Sequence, residues 1–246
     1  MRRVWNVAHR GASGERPENT LPAFQLAIEQ GADVIEADVR ATADGKLAIL
    51  HDPMLDRTTN GSGPLRVLTL AQARKLDAGD GQPIPTVEEV LDVARGRTRV
   101  NLDLKEVDVV EPAVRAVERA GMLDSVTFIS FLPEAWDILD RISPESPVVQ
   151  LVDSAASLAS IAMGEVVSHA VRSGVGMPHA LVGVEIVERL HMRGLAVYAW
   201  TVDDEAEMRR LIHTGVNGIV TNRPAALARV LRQEGTVKPG AAATPS

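Results

Sequence analysis

Short runs of Val, Ile and Leu alternate along the chain with stretches whose apolar residues recur every three or four positions, and glycines close most of the latter. The short runs predict strands at Val4–Ala8, Val34–Val39, Val100–Leu104, Val126–Ser130, Val148–Leu151, Val166–Val171, Leu195–Thr201 and Gly218–Thr221. The spaced stretches predict helices at Thr20–Gln30, Thr86–Arg95, Glu111–Ala120, Glu134–Ile142, Ser154–Met163, Val184–Arg193, Glu205–Thr214 and Pro224–Gln233. Their ends carry matching chemistry. Asn19 or Thr20 caps the first helix, Pro22 suits its first turn and Gly31 its exit. Thr86 with Glu89, and Asp204 with Glu207, have the spacing of capping boxes.

The segment after the second strand breaks this rhythm. Asp44-Gly45 lies between two extended runs and predicts a two-residue hairpin turn. Ala43 then faces Lys46, and continuing that register places His51 opposite Asp38. Residues 53–85 are rich in Gly, Pro, Thr and Asp, with one short helical piece near Leu70–Leu76, and have too few apolar residues for a core of their own. They read as a small insertion.

Strict alternation of strand and helix argues for a parallel sheet. An open doubly wound sheet is the alternative, but no Gly-x-Gly-x-x-Gly follows the first strand. Eight units in one domain favour an α/β fold of the (β/α)8 TIM barrel type with an insertion after the second strand. The expected layout is one barrel domain over residues 1–234 and a disordered tail over 235–246.

Composition narrows the chemistry. The chain has 246 residues, a net charge of −7 and no cysteine, which excludes disulfides and thiolate metal sites. The negative balance argues against nucleic-acid partners and stable membrane association. The apolar run at Val4–Ala8 is too short for a secretory segment, so a soluble, cytoplasmic protein is expected. The outer helical faces show no readable interface, leaving oligomeric state open.

Barrel enzymes carry their reactive groups at the C-terminal ends of the strands. There the first strand ends in His9-Arg10-Gly11. In the second, Glu36, Asp38 and Arg40 share one face while Ile35, Ala37 and Val39 share the other. The strand at 100–105 repeats the device with Asn101, Asp103 and Lys105. Three carboxylates converging on one mouth repel one another unless a cation neutralises them, and an all-oxygen set suits Mg²⁺ or Ca²⁺ better than zinc. His9 and His51 would join them, and Arg10 and Lys105 add charge suited to a phosphate. His169, His179, His191 and His213 lie outside these motifs and read as surface or structural residues.

These stretches, with Pro17-Glu18-Asn19-Thr20, His51-Asp52-Pro53, Leu55 to Gly61, Ser130-Phe131, Trp200 to Asp203 and Gly218 to Pro224, resemble the glycerophosphodiester phosphodiesterases in the order in which that family carries them. The resemblance implies a TIM barrel hydrolysing small-molecule glycerophosphodiesters to sn-glycerol 3-phosphate and an alcohol. It implies His9 and His51 as the general acid/base pair. It further implies Arg10 and Lys105 as phosphate contacts, Trp200 as an apolar wall for glycerol, and Glu36, Asp38 and Asp103 as ligands of one divalent cation, Mg²⁺ or Ca²⁺. Glu18 and Asn19 would fix the loop after the first strand. The chain departs from the family pattern twice. Asp103 stands where Glu is common, which puts metal preference in question. Asn222 stands where Asp is frequent, and is expected to cap the last helix with little consequence. A related barrel acting on lysophospholipids, and a barrel that binds phosphodiesters without turnover, are the rival readings.

Overall fold

The structure is a computed structural model and describes residues 3–163 and 173–236. Its elements follow the alternation. They are β1 (Trp5–Ala8), α1 (Leu21–Glu29), β2 (Val34–Ala41), β3 (Leu47–Ile49), α2 (Leu70–Ala73), α3 (Val87–Ala94), β4 (Arg99–Leu104), α4 (Val110–Ala120), β5 (Val126–Ser130) and α5 (Pro133–Ile142). There follow β6 (Val148–Leu151), α6 (Ala155–Met163), β7 (Gly174–Pro178), α7 (Val184–Met192), β8 (Ala196–Trp200), α8 (Glu205–Thr214), β9 (Gly218–Thr221) and α9 (Pro224–Gln233). β1 pairs in parallel with both β2 and β9, so eight parallel strands close into a barrel and β3 hangs antiparallel on the far end of β2.

Period-2 alternation sorts the side chains. Ile35, Ala37 and Val39 of β2 and Leu102 and Leu104 of β4 pack outward against α1, α3 and α4, in a core that runs on to Phe128 and Trp136. A second core, around Val175, Val197, Leu211 and Leu227, serves the other half of the barrel. The opposite set on β2 and β4 faces inward, and the parallel register places Glu36 beside Asn101 and Asp38 beside Asp103.

The structure corrects several sequence expectations. The hairpin has a three-residue loop, Ala43–Gly45: Thr42 faces Lys46, and the Gly45 N–H donates to Thr42 O at 3.0 Å with φ +67. This is the glycine-bulge hairpin, and it shifts the register by one. Leu50, not His51, lies opposite Asp38, donating its N–H to Asp38 O at 3.0 Å. Strand pairing stops at Ile49, and His51 reaches the barrel mouth because the chain bends away after it. The insertion does gather an apolar cluster: Leu55, Leu65, Ala73, Ala78 and Ile84 are buried with Ala48 and Leu50 of the hairpin.

The strand expected at Val166–Val171 lies outside the described residues, as does His169; the strand that completes the barrel there is β7. Its Gly-Val-Gly-Met-Pro sequence hides it from a propensity reading. The glycines are there for close approach. A Cβ at Gly174 would lie 2.6 Å from Ala196 O, and one at Gly176 would lie 2.6 Å from Leu151 Cδ2. Thr86 and Glu89 form the expected reciprocal box. Asp204 caps α8, but the Glu207 carboxylate turns instead to His179 and Arg210. Of the expected tail, Thr236 is buried and its hydroxyl donates to Leu231 O, while 237–246 lie outside the described residues. Among the described residues, no helix is long and apolar enough to cross a membrane.

Candidate active site

The loop after β1 is built for tight approach. Arg10 and Gly11 both take left-handed backbone angles, and a Cβ on Gly11 would lie 2.6 Å from the Ala23 carbonyl carbon in α1. The turn aims the Arg10 N–H at Glu36 Oε2, 2.8 Å away. Asn19, also left-handed, bonds Asp38 through both ends of its amide, at 2.7 Å from Nδ2 and 3.3 Å to Oδ1. The loop is thus clipped onto the inward face of β2.

All eight candidate residues line one cavity of about 210 Å³ at the C-terminal mouth of the barrel: His9, Arg10, Glu36, Asp38, His51, Asp103, Lys105 and Trp200. Wider grooves of about 970 and 520 Å³ run over the outside. The first is lined largely by opposed charges, such as Arg66 with Asp108 and Arg115 with Glu111.

Glu36, Asp38 and Asp103 are buried, and one carboxylate oxygen from each lies within 4.8 Å of the other two. The Lys105 ammonium sits 2.9 Å from Asp38 and 2.5 Å from Asp103, and the Arg10 guanidinium 3.1 Å from Asp38. Burial would raise the Asp38 pKa, but Lys105 and Arg10 outweigh it and hold this carboxyl at about 2. Burial, with Asp38 and Asp103 nearby, pushes Glu36 well above the carboxylate range. Burial pushes Asp103 up to about 6, Lys105 opposing and Asp38 reinforcing the rise. Asp103 Oδ1 is buried with no hydrogen-bond partner. An orphaned oxygen in a buried all-oxygen triad is the donor set a hard divalent cation takes, so these three residues can hold a metal ion.

Each histidine is held at Nδ1. His9 donates to Asn222 Oδ1 at 2.8 Å; the amide cannot turn over, because its Nδ2 donates to Asp203 at 2.7 Å and its Oδ1 also accepts from Ser13. His51 Nδ1 lies 2.6 Å from the Asp52 carboxylate. Both neutral rings therefore keep Nε2 free to accept a proton. Burial and the adjacent Arg10 lower the His9 pKa. Burial also lowers that of His51, against the pull of Asp38 and Asp52. On the opposite wall Trp200, which precedes a cis peptide, meets Phe131 edge-on with ring centroids 5.9 Å apart.

The model of the glycerophosphoryl diester phosphodiesterase family matches residues 9–226. The chain belongs to this family. Among glycerophosphodiester phosphodiesterases it is 35% identical to one from Bacillus subtilis, over 90% of this chain and 84% of that protein. It is 33% identical to one from Caldanaerobacter subterraneus, over 93% and 98%. A glycerophosphodiester phosphodiesterase structure from Agrobacterium tumefaciens superposes with a TM-score of 0.80 at 34% identity, covering 93% of this chain and all of that one. A phosphodiesterase from Oleispira antarctica, solved in complex with the product sn-glycerol-3-phosphate, superposes at 0.86 with 29% identity, over 92% and 96%.

Within this phosphodiesterase framework, four residues of the site have no catalytic or binding role on the sequence pattern alone. Asp52 and Phe131 sat inside quoted motifs, and their positions beside His51 and Trp200 come from bends that no periodicity encodes. Asp203 and Asn222 are the others. Asn222 does not cap α9, whose N-cap is Arg223 with no side-chain bond; its amide goes to His9 instead. The expectation that Asn222 caps this helix is corrected. Of the other histidines, His179 pairs with Glu207, His191 with Asn217 and His213 with Glu234, and none of the three lines the cavity.

Proposed function

We propose that this chain hydrolyses small-molecule glycerophosphodiesters to sn-glycerol 3-phosphate and an alcohol, with one divalent cation, Mg²⁺ or Ca²⁺, held by Glu36, Asp38 and Asp103. The observation that carries the reading is the convergence on one small cavity of two Nδ1-tethered histidines, two cationic side chains and the acidic triad. The product seen in the Oleispira antarctica relative supports the same substrate class.

In this mechanism one histidine takes, at Nε2, the proton of the attacking oxygen, from water or from the glycerol 2-hydroxyl. The P–O bond to the alcohol breaks, and the other histidine, protonated at Nε2, gives that proton to the departing oxygen; where the 2-hydroxyl attacks, the cyclic phosphate it forms is opened by water in a second step. Arg10 and Lys105 set positive charge against the phosphoryl oxygens. Trp200 and Phe131 shield the carbon skeleton. The chemistry a bound cation supplies is Lewis-acid polarisation of the phosphoryl group. A diffusible substrate needs no membrane contact, which fits a cytoplasmic enzyme.

The test is release of sn-glycerol 3-phosphate from glycerophosphocholine, glycerophosphoethanolamine and glycerophosphoglycerol, with Mg²⁺, Ca²⁺ or a chelator, and lysophosphatidylcholine alongside. Turnover of the water-soluble diesters that stops with chelator is expected. Turnover of lysophosphatidylcholine alone would sink the reading.

Asn222→Ala removes the acceptor that sets the His9 tautomer. We expect kcat to fall about 10–100-fold, as for small displacements of a reacting group. The lost bond also stabilised the His9 imidazolium, so the pH–rate limb belonging to His9 moves to lower pH. Unchanged limbs would remove Asn222 from the site.

A further inference from the structure

The insertion, through Leu55-Asp56-Arg57-Thr58-Thr59-Asn60-Gly61, makes contacts that the hydrolytic chemistry above does not use. Its buried Leu55 roots the segment in the small apolar cluster, and backbone bonds from Leu55 N to Gly63 O and from Thr59 N to Leu55 O fold it into a compact turn. From that turn the Arg57 side chain reaches back to the mouth of the barrel. Its Nε donates to Asp52 Oδ2 at 2.6 Å. Its two terminal nitrogens donate to the two oxygens of Glu18, at 2.8 and 2.9 Å. Asp52 passes the contact to His51 Nδ1 through its other oxygen, and Glu18 passes it to Arg10 at 2.9 Å.

We infer that Arg57 is a positioning residue, which clamps Asp52 to Glu18 of the opposite loop and so holds His51 in place for proton transfer. The inference rests on the hydrolytic reading for the task of His51, and on geometry for the clamp. The fork-to-fork pairing with Glu18 fixes direction as well as charge, which a lysine could not do. Asp52 is adjacent to His51 in sequence, and its second oxygen is held by Arg57. The guanidinium also keeps the Asp52 carboxyl well below its ordinary pKa, so the partner of His51 stays ionised. Arg57 is half exposed, and exposed ion pairs contribute little to stability. Its contacts therefore bear on the site more than on the fold. On this view the insertion reaches the chemistry through one side chain.

The experiment measures steady-state kinetics of Arg57→Ala, Arg57→Lys, Asp52→Ala and the Arg57→Ala/Asp52→Ala double variant with glycerophosphocholine, wild type alongside. Expected are a fall in kcat of about 10–100-fold with little change in KM for both Arg57 variants. In the Asp52→Ala background, removal of Arg57 should cost much less than in the wild type, because its hold on His51 runs through Asp52. Free guanidinium ion at non-denaturing concentration should restore part of the activity of Arg57→Ala and none of the double variant. Arg57→Lys keeps the charge on the same fold, so it reads the clamp even where the alanine variant folds poorly. Wild-type kcat in either Arg57 variant, or additive losses in the double variant, would overturn the inference. A second readout needs no turnover: the hydrogen-bonded Nδ1 proton of His51, followed by NMR in the substrate-free protein, should broaden or shift in both Arg57 variants. An unchanged signal overturns the clamp. An inactive wild type with a shifted signal would fault the hydrolytic reading and leave the clamp standing.

Discussion

Replacing either histidine of the barrel mouth by alanine should abolish glycerophosphocholine hydrolysis. We expect His9→Ala and His51→Ala each to lower kcat at least about 10³-fold, within the range for loss of a positioned acid or base. The argument is geometric. Each ring is tethered at Nδ1 by a partner that is itself held, Asn222 by Asp203 and Asp52 by Arg57, so each Nε2 has a fixed line into the same cavity. Proton transfer needs that alignment for both groups, and no other described histidine lines the cavity. The acid limb of the wild-type pH–rate profile belongs to the histidine that acts as base, and because burial lowers the pKa of both rings it should lie below the ordinary imidazole value of 6.5 whichever histidine that is. The sign follows because a lowered pKa keeps the basic form populated to lower pH. Rates of product release across pH, with cation-induced thermal shifts as a check that each variant retains fold and metal site, decide the matter. Retained turnover in one variant would strip that histidine of its role.

Much of this arrangement is legible in the chain. Alternation of apolar runs and glycine-terminated helices is a local signal, so the barrel follows from it, and the inward carboxylates of β2 and β4 follow from period 2 alone. Features set by close approach are less legible. β7 is a strand because its glycines let Ala196 and Leu151 come near, and a propensity reading sees Gly174 and Gly176 only as breakers. His51 is instructive in another way. A two-residue turn in the predicted register placed it opposite Asp38, yet the real register is shifted by the Gly45 bulge. The histidine reaches the cavity by a bend after Ile49. Asn222 shows the same limit: next to a helix start it reads as a cap, while three-dimensional closure of the barrel puts it against His9, 213 positions away in sequence.

The acidic triad should make stability, as well as activity, depend on the cation, and in a pH-dependent way. Glu36 and Asp103 have raised pKa values in the folded protein, Asp103 at about 6 against an ordinary 3.8. A raised carboxyl pKa means that the fold holds the proton more tightly than the unfolded chain. For both groups the stabilising contribution is therefore complete at low pH and is lost as pH rises through the raised pKa, for Asp103 between about 4 and 6. At pH 8 without added cation, ionised Asp103 lies beside ionised Asp38 in one buried site. Asp38 runs the other way, since Lys105 and Arg10 hold its pKa at about 2, so its contribution is intact across this window. On the proposed reading a divalent cation at the triad would compete with protons at Glu36 and Asp103. We thus expect a larger cation-induced rise in Tm at pH 8 than at pH 5. At a hundredfold excess over Kd, linkage gives about 2.7 kcal/mol. For a chain of this size that is a rise of roughly 5–10 °C. Asp103→Asn should lose most of that rise and at least about 100-fold in kcat, because a ligand becomes neutral while the shape is kept. Thermal unfolding with and without cation at the two pH values, beside chelator-treated activity, reads both effects. A cation shift that is equal at pH 5 and pH 8, or that survives in Asp103→Asn, would place the metal elsewhere.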